Sequence, residues 1–290
     1  MVFRFFIFLF LSPISLFAQS QIDPLQIPPR KVDAETGSEF MKRMIPLSLE
    51  EREEEIYKAL AEGNMPEFLK KPVQLKGTFQ DSVGKSHEII YEVMPDYLAI
   101  GSDEDYCRIP MNPHTAQRLA NLFGASLITS KISDHIYENA EVKLDPFFYK
   151  PVERENESIA KFILHNEQIE KQKSKANERN GQLIAGIKKD VILSYHLADL
   201  PDRVVIYGWH KLDGNPIQPV YKGHVDWYVD YSHGIRLMNK EVILDSEVVS
   251  VSKILSDPIL FKILSNEDKP MVQTEYLEKF QHQSIRHNLN

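Results

Sequence analysis

The densest chemistry in this chain lies in one window, "YGWHKLDGNPIQPVYKGHVDWYVDYSHGIR", residues 207 to 236. It holds both tryptophans of the protein, three of its ten histidines and four tyrosines, separated by glycines and prolines. Aromatic and imidazole side chains on strand ends and loops are the material of a ligand cleft. His210, His224, Ser232, His233 and Arg236 are the candidate catalytic residues, and Tyr207, Trp209, Trp227, Tyr228, Asp230 and Tyr231 the candidate substrate-binding ones. The bland alternative is that aromatics favour strands and histidines fill edges. Two mechanisms follow from residue type alone. Zinc could be held by His210, His224 and His233, or by Asp226 and Asp230, since imidazole and carboxylate suit that ion, although no HExxH spacing is present. Alternatively Ser232 is a nucleophile. Neighbouring strand residues point to opposite faces, so its base would be His210 or His224 rather than His233. The G-x-S-x-G elbow and the S-x-x-K set are both missing around it.

A third mechanism comes from a local likeness. "SHGIRL", residues 232 to 237, resembles the catalytic segment of the L,D-transpeptidase family, in which serine or threonine, histidine, glycine and cysteine precede an aliphatic residue, arginine and leucine. The upstream "VVIYGWH" resembles that family's strand ending in a histidine. The resemblance implies a peptidoglycan stem peptide as substrate, His210 as the upstream histidine, Ser232, His233 and Gly234 as the turn, and Arg236 as the substrate-positioning guanidinium. The family's cysteine has no counterpart, because Ile235 follows Gly234 directly. The intervals from His210 and His224 to Ser232 are respectively longer and shorter than the family's gap. Cys107, the single cysteine, sits on a distant predicted strand and reads as a small half-buried residue.

Around this window the chain reads as secreted. "MVFRFFIFLFLSPISLFAQSQ" opens with Arg4 and an apolar run from Phe5 to Ala18, the shape of a signal peptide cut after Ala18 or Ser20. That run is short for a membrane span, which needs about 20 residues, and no later segment is a candidate. A secreted or periplasmic protein without a transmembrane segment after cleavage is expected. One cysteine excludes an intrachain disulfide framework. The net charge of -8 argues against nucleic acid as a partner.

The elements that must position the window follow from periodicity and punctuation. Residues 21 to 46 read as an extended arm, and 47 to 290 as a single α+β domain. Ser48 with Glu51 opens a short acidic helix by a capping box, ended by Gly63 and Pro66. Strands follow from Val73 to Ile109, with "VGKS" at residues 83 to 86 as a hairpin turn. A phosphate loop would need glycine where Phe79 stands. Asn112, Pro113 and Gly124 frame one helix, and Ile132, Ile136, Tyr137 and Ala140 share the face of a second. A longer amphipathic helix then runs through "NESIAKFILHNEQIEKQKSKANERNG" with its polar end in solvent. The last third returns to strands, with a turn at Asp213-Gly214. A final helical stretch, "SKILSDPILFKILS", precedes a polar tail. Lys188 and Lys189 read as protection of a sheet edge, and Asp103, Glu104 and Asp105 as a solvated acidic turn.

The expected fold is therefore α+β: mostly antiparallel strands in the N- and C-terminal parts with a central helical segment. The expected function is a secreted hydrolase or transferase acting on cell-envelope, peptidoglycan-like or other extracellular material. The alternative is a secreted non-catalytic protein that binds a glycan or peptide. No cofactor is expected, zinc being the one metal the histidines suggest, and the partner is a cell-wall peptide, glycan or other extracellular substrate.

Overall fold

The helix starts read from the sequence form as their side chains dictate. The computed structural model describes residues 21–150, 152–176 and 178–277. The expected signal peptide, residues 1–20, and the end of the polar tail lie outside them. Residues 21 to 36 form no helix or strand and turn at Val32 and Asp33, with Gln26 N–H on the Phe123 carbonyl, Asn239 Nδ2 on the Asp23 carbonyl and Ala34 N–H on the Lys31 carbonyl. The arm does not stay extended to residue 46. Thr36 and Glu39 form a capping box for α1 (Gly37–Met44), whose Phe40, Met41 and Met44 are buried. Because the motif spans four residues and the apolar stripe only two turns, no longer period announced it.

Ser48 and Glu51 cap α2 (Leu49–Ala61). A side-chain cap contributes about 1 kcal/mol to such a helix. β1 (Val73–Gln80) and β2 (Ser86–Val93) pair antiparallel over their full lengths across the Gly84 turn, followed by the small hairpin β3 (Ala99–Gly101) and β4 (Tyr106–Arg108). The central helical segment comprises α3 (Pro113–Phe123), α4 (Ser130–Asn139) and α5 (Ile159–Ala176), with short β5 (Ala125–Leu127) and β6 (Val142–Lys143) between them. α3 has Asn112 accepting from Thr115 N–H, Pro113 in its first turn and Gly124 left-handed at φ 68°. Only a residue without Cβ takes that last conformation cheaply. The polar end of α5 is not wholly solvated, since Lys173 is buried on Tyr106 Oη at 2.7 Å and Asn180 Oδ1 at 2.8 Å.

The C-terminal third supplies β7 (Ile184–Ala185), β8 (Lys189–Val191), β9 (Ile206–His210), β10 (Pro216–Tyr221), β11 (His233–Gly234), β12 (Leu237–Asn239), β13 (Glu241–Leu244) and β14 (Glu247–Ser250). Helices α6 (Val251–Ser256) and α7 (Phe261–Leu264) close the described chain. Two main sheets result. One has the order β14-β13-β2-β12-β5, with β1 on the other edge of β2, so the N-terminal hairpin is completed by strands more than 140 residues away. The other has the order β10-β9-β8-β11. The fold is α+β. Most pairs are antiparallel, the exceptions being β11 with β8 and β6 with β7. One hydrophobic core runs from Phe40 to Tyr276 and includes residues from both sheets, such as Tyr91, Leu237, Val191 and Ile206. Among the described residues, no helix is long and apolar enough to cross a membrane.

Candidate functional site

β8 is the axis of the site. It lies between the two strands that carry the sequence likeness, so Lys189 is paired in register with Gly208 of β9 on one side and His233 of β11 on the other. Asp190 is flanked in the same way by Tyr207 and Gly234. The reading of Lys188 and Lys189 as edge protection is overturned. β8 is interior to its sheet, Lys188 and Asp190 are buried, and Lys189 is half-buried.

Tyr207 and His210 would point to opposite faces of a regular strand, yet both reach one carboxylate. Tyr207 Oη and His210 Nε2 each donate to Asp134 Oδ1 at 2.8 Å. The backbone between them explains this. Gly208 has φ 100° and Trp209 φ 56°, two left-handed residues in succession that turn the ribbon before His210. Holding a tryptophan there costs about 1–3 kcal/mol, which persists only when surrounding packing fixes it. His210 is clamped further by stacking on Tyr137, ring centres 4.7 Å apart and planes within 19°. On the same helix Ser133 Oγ donates to Asp190 Oδ2 at 2.5 Å. Burial raises the Asp190 carboxyl above its ordinary range, with Arg236 opposing.

Across the row from Gly208, Lys189, His224, Tyr228, Asp230 and His233 gather, with Trp209 beside them. The Lys189 ammonium lies 5.0 Å from the Trp209 ring centre and makes no hydrogen bond or ion pair among the described residues. Burial lowers its pKa, against the pull of Asp230. His224 stacks on Tyr228 at 4.3 Å, and His233 lies 6.1 Å from His224 and 5.8 Å from Tyr228 between ring centres. His233 is 1 % exposed, and neither of its nitrogens has a partner. Burial brings it down to about 4, Asp230 opposing and Lys189 and His224 adding repulsion, so the ring is neutral at pH 7. The Trp209 indole N–H and His165 Nδ1 are likewise buried and unpartnered. His165 donates through Nε2 to the Phe147 carbonyl at 3.0 Å, and burial keeps it neutral as well.

Ser232 is not placed as a nucleophile. Its hydroxyl donates to Asp230 Oδ1 at 2.5 Å, and its N–H bonds the same oxygen at 2.7 Å. Tyr228 Oη takes the other Asp230 oxygen at 3.2 Å. These bonds, with the charges of His233 when protonated and of Lys189, overcome burial and hold Asp230 at about 2. Ser232 thus orders a carboxylate and is not activated by an imidazole. The zinc set also comes apart. Among the described residues no three His, Cys, Asp or Glu side chains gather to hold a metal ion, because His210 turns to Asp134 while His224 and His233 stack among aromatics. Asp226 serves His114 Nε2 at 2.9 Å.

Arg236 is neither a surface ion pair nor a group facing substrate. It is 1 % exposed, donates to the Met94 carbonyl at 2.9 Å and the Ile184 carbonyl at 2.7 Å, and lies 4.2 Å over the Tyr97 ring. It ties the link between β11 and β12 to the residue after β2 and to β7. Cys107 is buried on β4 with its thiol pushed up to about 12, where no thiolate forms at neutral pH. Tyr231 points to the loop after β6, its hydroxyl accepting from Tyr149 N–H at 2.8 Å. Trp227 remains 56 % exposed. Sequence reasoning missed Asp134, Tyr137, Lys189 and His165 as site residues. Asp134 and Tyr137 stood inside a recognised amphipathic helix, three apart, and only their convergence with β9 gives them a role.

No protein-family model, curated protein or solved structure matches this chain.

Proposed function

We propose that this chain is a hydrolase or transferase acting on cell-envelope material of the peptidoglycan type or on other extracellular material, with His233 as its acid/base group. The observation that carries this reading is a buried, neutral imidazole with both nitrogens unpartnered, set in register beside a half-buried, unpaired lysine. A neutral ring offers one N–H and one lone pair, so it can take a proton from an attacking water, hydroxyl or amine. Asp230, fixed as an anion next to it, compensates the charge so formed. An imidazolium of low pKa then gives the proton to the leaving group readily. With Ser232 committed to Asp230 and Cys107 buried as a thiol, the attack is direct, without a covalent enzyme intermediate. This departs from the cysteine chemistry that the "SHGIRL" resemblance implies while keeping its histidine. The secreted or periplasmic location rests on residues 1–20.

The purified chain, incubated with peptidoglycan sacculi, is expected to release soluble fragments. His233→Ala should lower the rate by about 100-fold or more, the usual contribution of a positioned acid/base group. Equal activity in the variant would remove His233 from the chemistry. A second reading, a glycan- or peptide-binding protein, is favoured by the exposure of Trp227 at 56 % and Phe148 at 65 % near the site. Pull-down by sacculi without release of any fragment would select it.

A further inference from the structure

Residues 265 to 277 form no helix or strand, yet they are bonded into the sheet that carries the site. The paired part of β8 and β9 ends at Val191 with Ile206. One step further, Ile192 N–H still reaches the Val205 carbonyl at 3.0 Å. Residues facing each other in a pair of this kind exchange two bonds. Here the return bond passes through a side chain from the end of the described chain: the Tyr276 hydroxyl accepts from Val205 N–H at 3.0 Å and donates to the Ile192 carbonyl at 2.9 Å. Tyr276 is thus a wedge in the ladder that sets Lys189 and Asp190 opposite Gly208 and Tyr207. Its stretch holds on at few points. Glu267 pins the start to Ser194 Oγ and to Tyr195 N–H. Beyond it, Met271 N–H meets the Leu255 carbonyl at 2.8 Å, Tyr276 N–H meets Gln117 Oε1 at 3.2 Å, and the Leu277 carbonyl meets His114 Nδ1 at 3.0 Å. From 271 to 277 only Met271 and Tyr276 are buried, and Val272 and Leu277 stand in solvent. A segment with so few buried contacts and no ladder of its own opens at low free energy while the core stays folded.

Two links run from this stretch to the segment between β10 and β11. Val204, beside the wedged Val205, gives its N–H to the His224 carbonyl at 3.2 Å. His114, which holds Leu277 through Nδ1, meets Asp226 Oδ2 through Nε2 at 2.9 Å. His224 in turn stacks on Tyr228, and both rings lie about His233. We infer that residues 271 to 277 are a detachable latch, hinged after Glu267, that holds the segment of residues 222 to 230 against the site-bearing sheet. Docked, the latch keeps the Tyr276 hydroxyl between Ile192 and Val205 and fixes His114 between Leu277 and Asp226. Released, it lets Val205 N–H close directly on the Ile192 carbonyl and leaves the segment that carries His224 and Tyr228 one anchor fewer. The device goes beyond the proposed function, since it governs access to those rings and needs no chemistry at His233.

Native-state hydrogen exchange of the full chain, followed by mass spectrometry at low urea concentrations, tests the latch. Amides of residues 271 to 277 are expected to exchange through an opening that urea scarcely affects, about tenfold or more faster than those of β8 and β9, whose exchange should rise with urea. A single urea dependence shared by latch and sheet would mean that they open only together, and would overturn the inference. Tyr276→Ala removes the wedge. It should speed exchange in 271 to 277 and in 222 to 230 while the chain keeps a cooperative urea transition. Loss of that transition would make Tyr276 part of the core and overturn the latch, and unchanged exchange in 222 to 230 would overturn its hold on the site. His114→Ala leaves Tyr276 in place and cuts both bonds of the imidazole. Faster exchange in the same two stretches is expected, and a change confined to α3 would overturn the link through Asp226.

Discussion

Two buried polar clusters, one around Arg108 of β4 and one around His233 of β11, are built on opposite principles. Around Arg108 nearly every charge is answered. Its guanidinium meets Asp96 through two bonds at 2.6 and 2.9 Å, Glu170 at 2.7 Å and Asn166 at 3.0 Å, while Lys173 reaches Tyr106 and Asn180. Against burial, which would raise it, Arg108 holds the Asp96 carboxyl below its usual range. Around His233 four buried nitrogens, on His165, Trp209 and His233, go without partners. A satisfied cluster fixes structure. An unsatisfied one held rigid by its neighbours is suited to receive a ligand. Lys188 joins the two: it donates to the Tyr231 carbonyl, and burial, with Arg108 adding repulsion, brings its ammonium down to about 7.

The sharpest way to break this contrast is to remove one partner from the satisfied cluster. Asp96→Ala leaves Arg108 buried with only part of its charge answered, and should cost about 3–5 kcal/mol, read as a lower midpoint in urea unfolding. His233→Phe should cost far less, because the imidazole makes no bond within the chain, while it abolishes release from sacculi. Equal losses in the two variants would show that the clusters do not differ.

A second effect comes through pH. The folded-state pKa of His233 is depressed below the ordinary 6.5, so the unfolded chain binds more protons between about pH 6.5 and 4. Stability from this group is fully present above that window and is lost as pH falls through it. The loss amounts to about 3 kcal/mol for a shift of this size. His165, also depressed by burial, adds to the same slope. Urea midpoints measured from pH 7 to 4 should fall less steeply in His233→Phe than in the parent, and parallel curves would contradict the burial of a neutral ring.

Ser232→Ala tests a smaller claim. Losing one bond to Asp230 should cost about 1 kcal/mol and leave most of the activity, whereas loss of all turnover would restore serine as nucleophile. The smallest effect is at Cys107, whose thiol should resist a disulfide reagent in the native protein at pH 8 and react fully in urea, as a mixing experiment followed by absorbance will show. Fast native labelling would mean that β4 opens.

Much of the fold was legible because its signals are local. Ser48 with Glu51, Asn112 with Pro113 and Gly124, and the turns at Gly84 and Gly214 each act within a few residues and form as their chemistry requires. The α1 capping box is equally local, yet a proline-containing stretch without period hid it. The stretch from Tyr207 to Arg236 was marked as a candidate by its aromatics and histidines, and the structure puts Trp209 and His210 on β9, His233 on β11, and Tyr228 and Asp230 in the chain between. Roles were not legible. Arg236, read as facing substrate, is spent on the Met94 and Ile184 carbonyls, and Ser232, read as a nucleophile, is spent on Asp230.

What the sequence by itself determined is the set of elements, their caps and turns, and the stretch in which polar and aromatic side chains accumulate. Propensity, capping and turn chemistry are interactions between residues a few positions apart, and they survive in any context that permits them. Only the tertiary structure decided which face each side chain takes and what it meets. Lys189 passes from edge guard to the centre of the site because β11, more than forty residues later, pairs beside β8. His210 turns from a zinc ligand into a partner of Asp134 because two left-handed residues rotate the strand toward α4. Burial, and with it the protonation state of His233 and the lack of partners for its nitrogens, depends on that long-range pairing and on no local pattern.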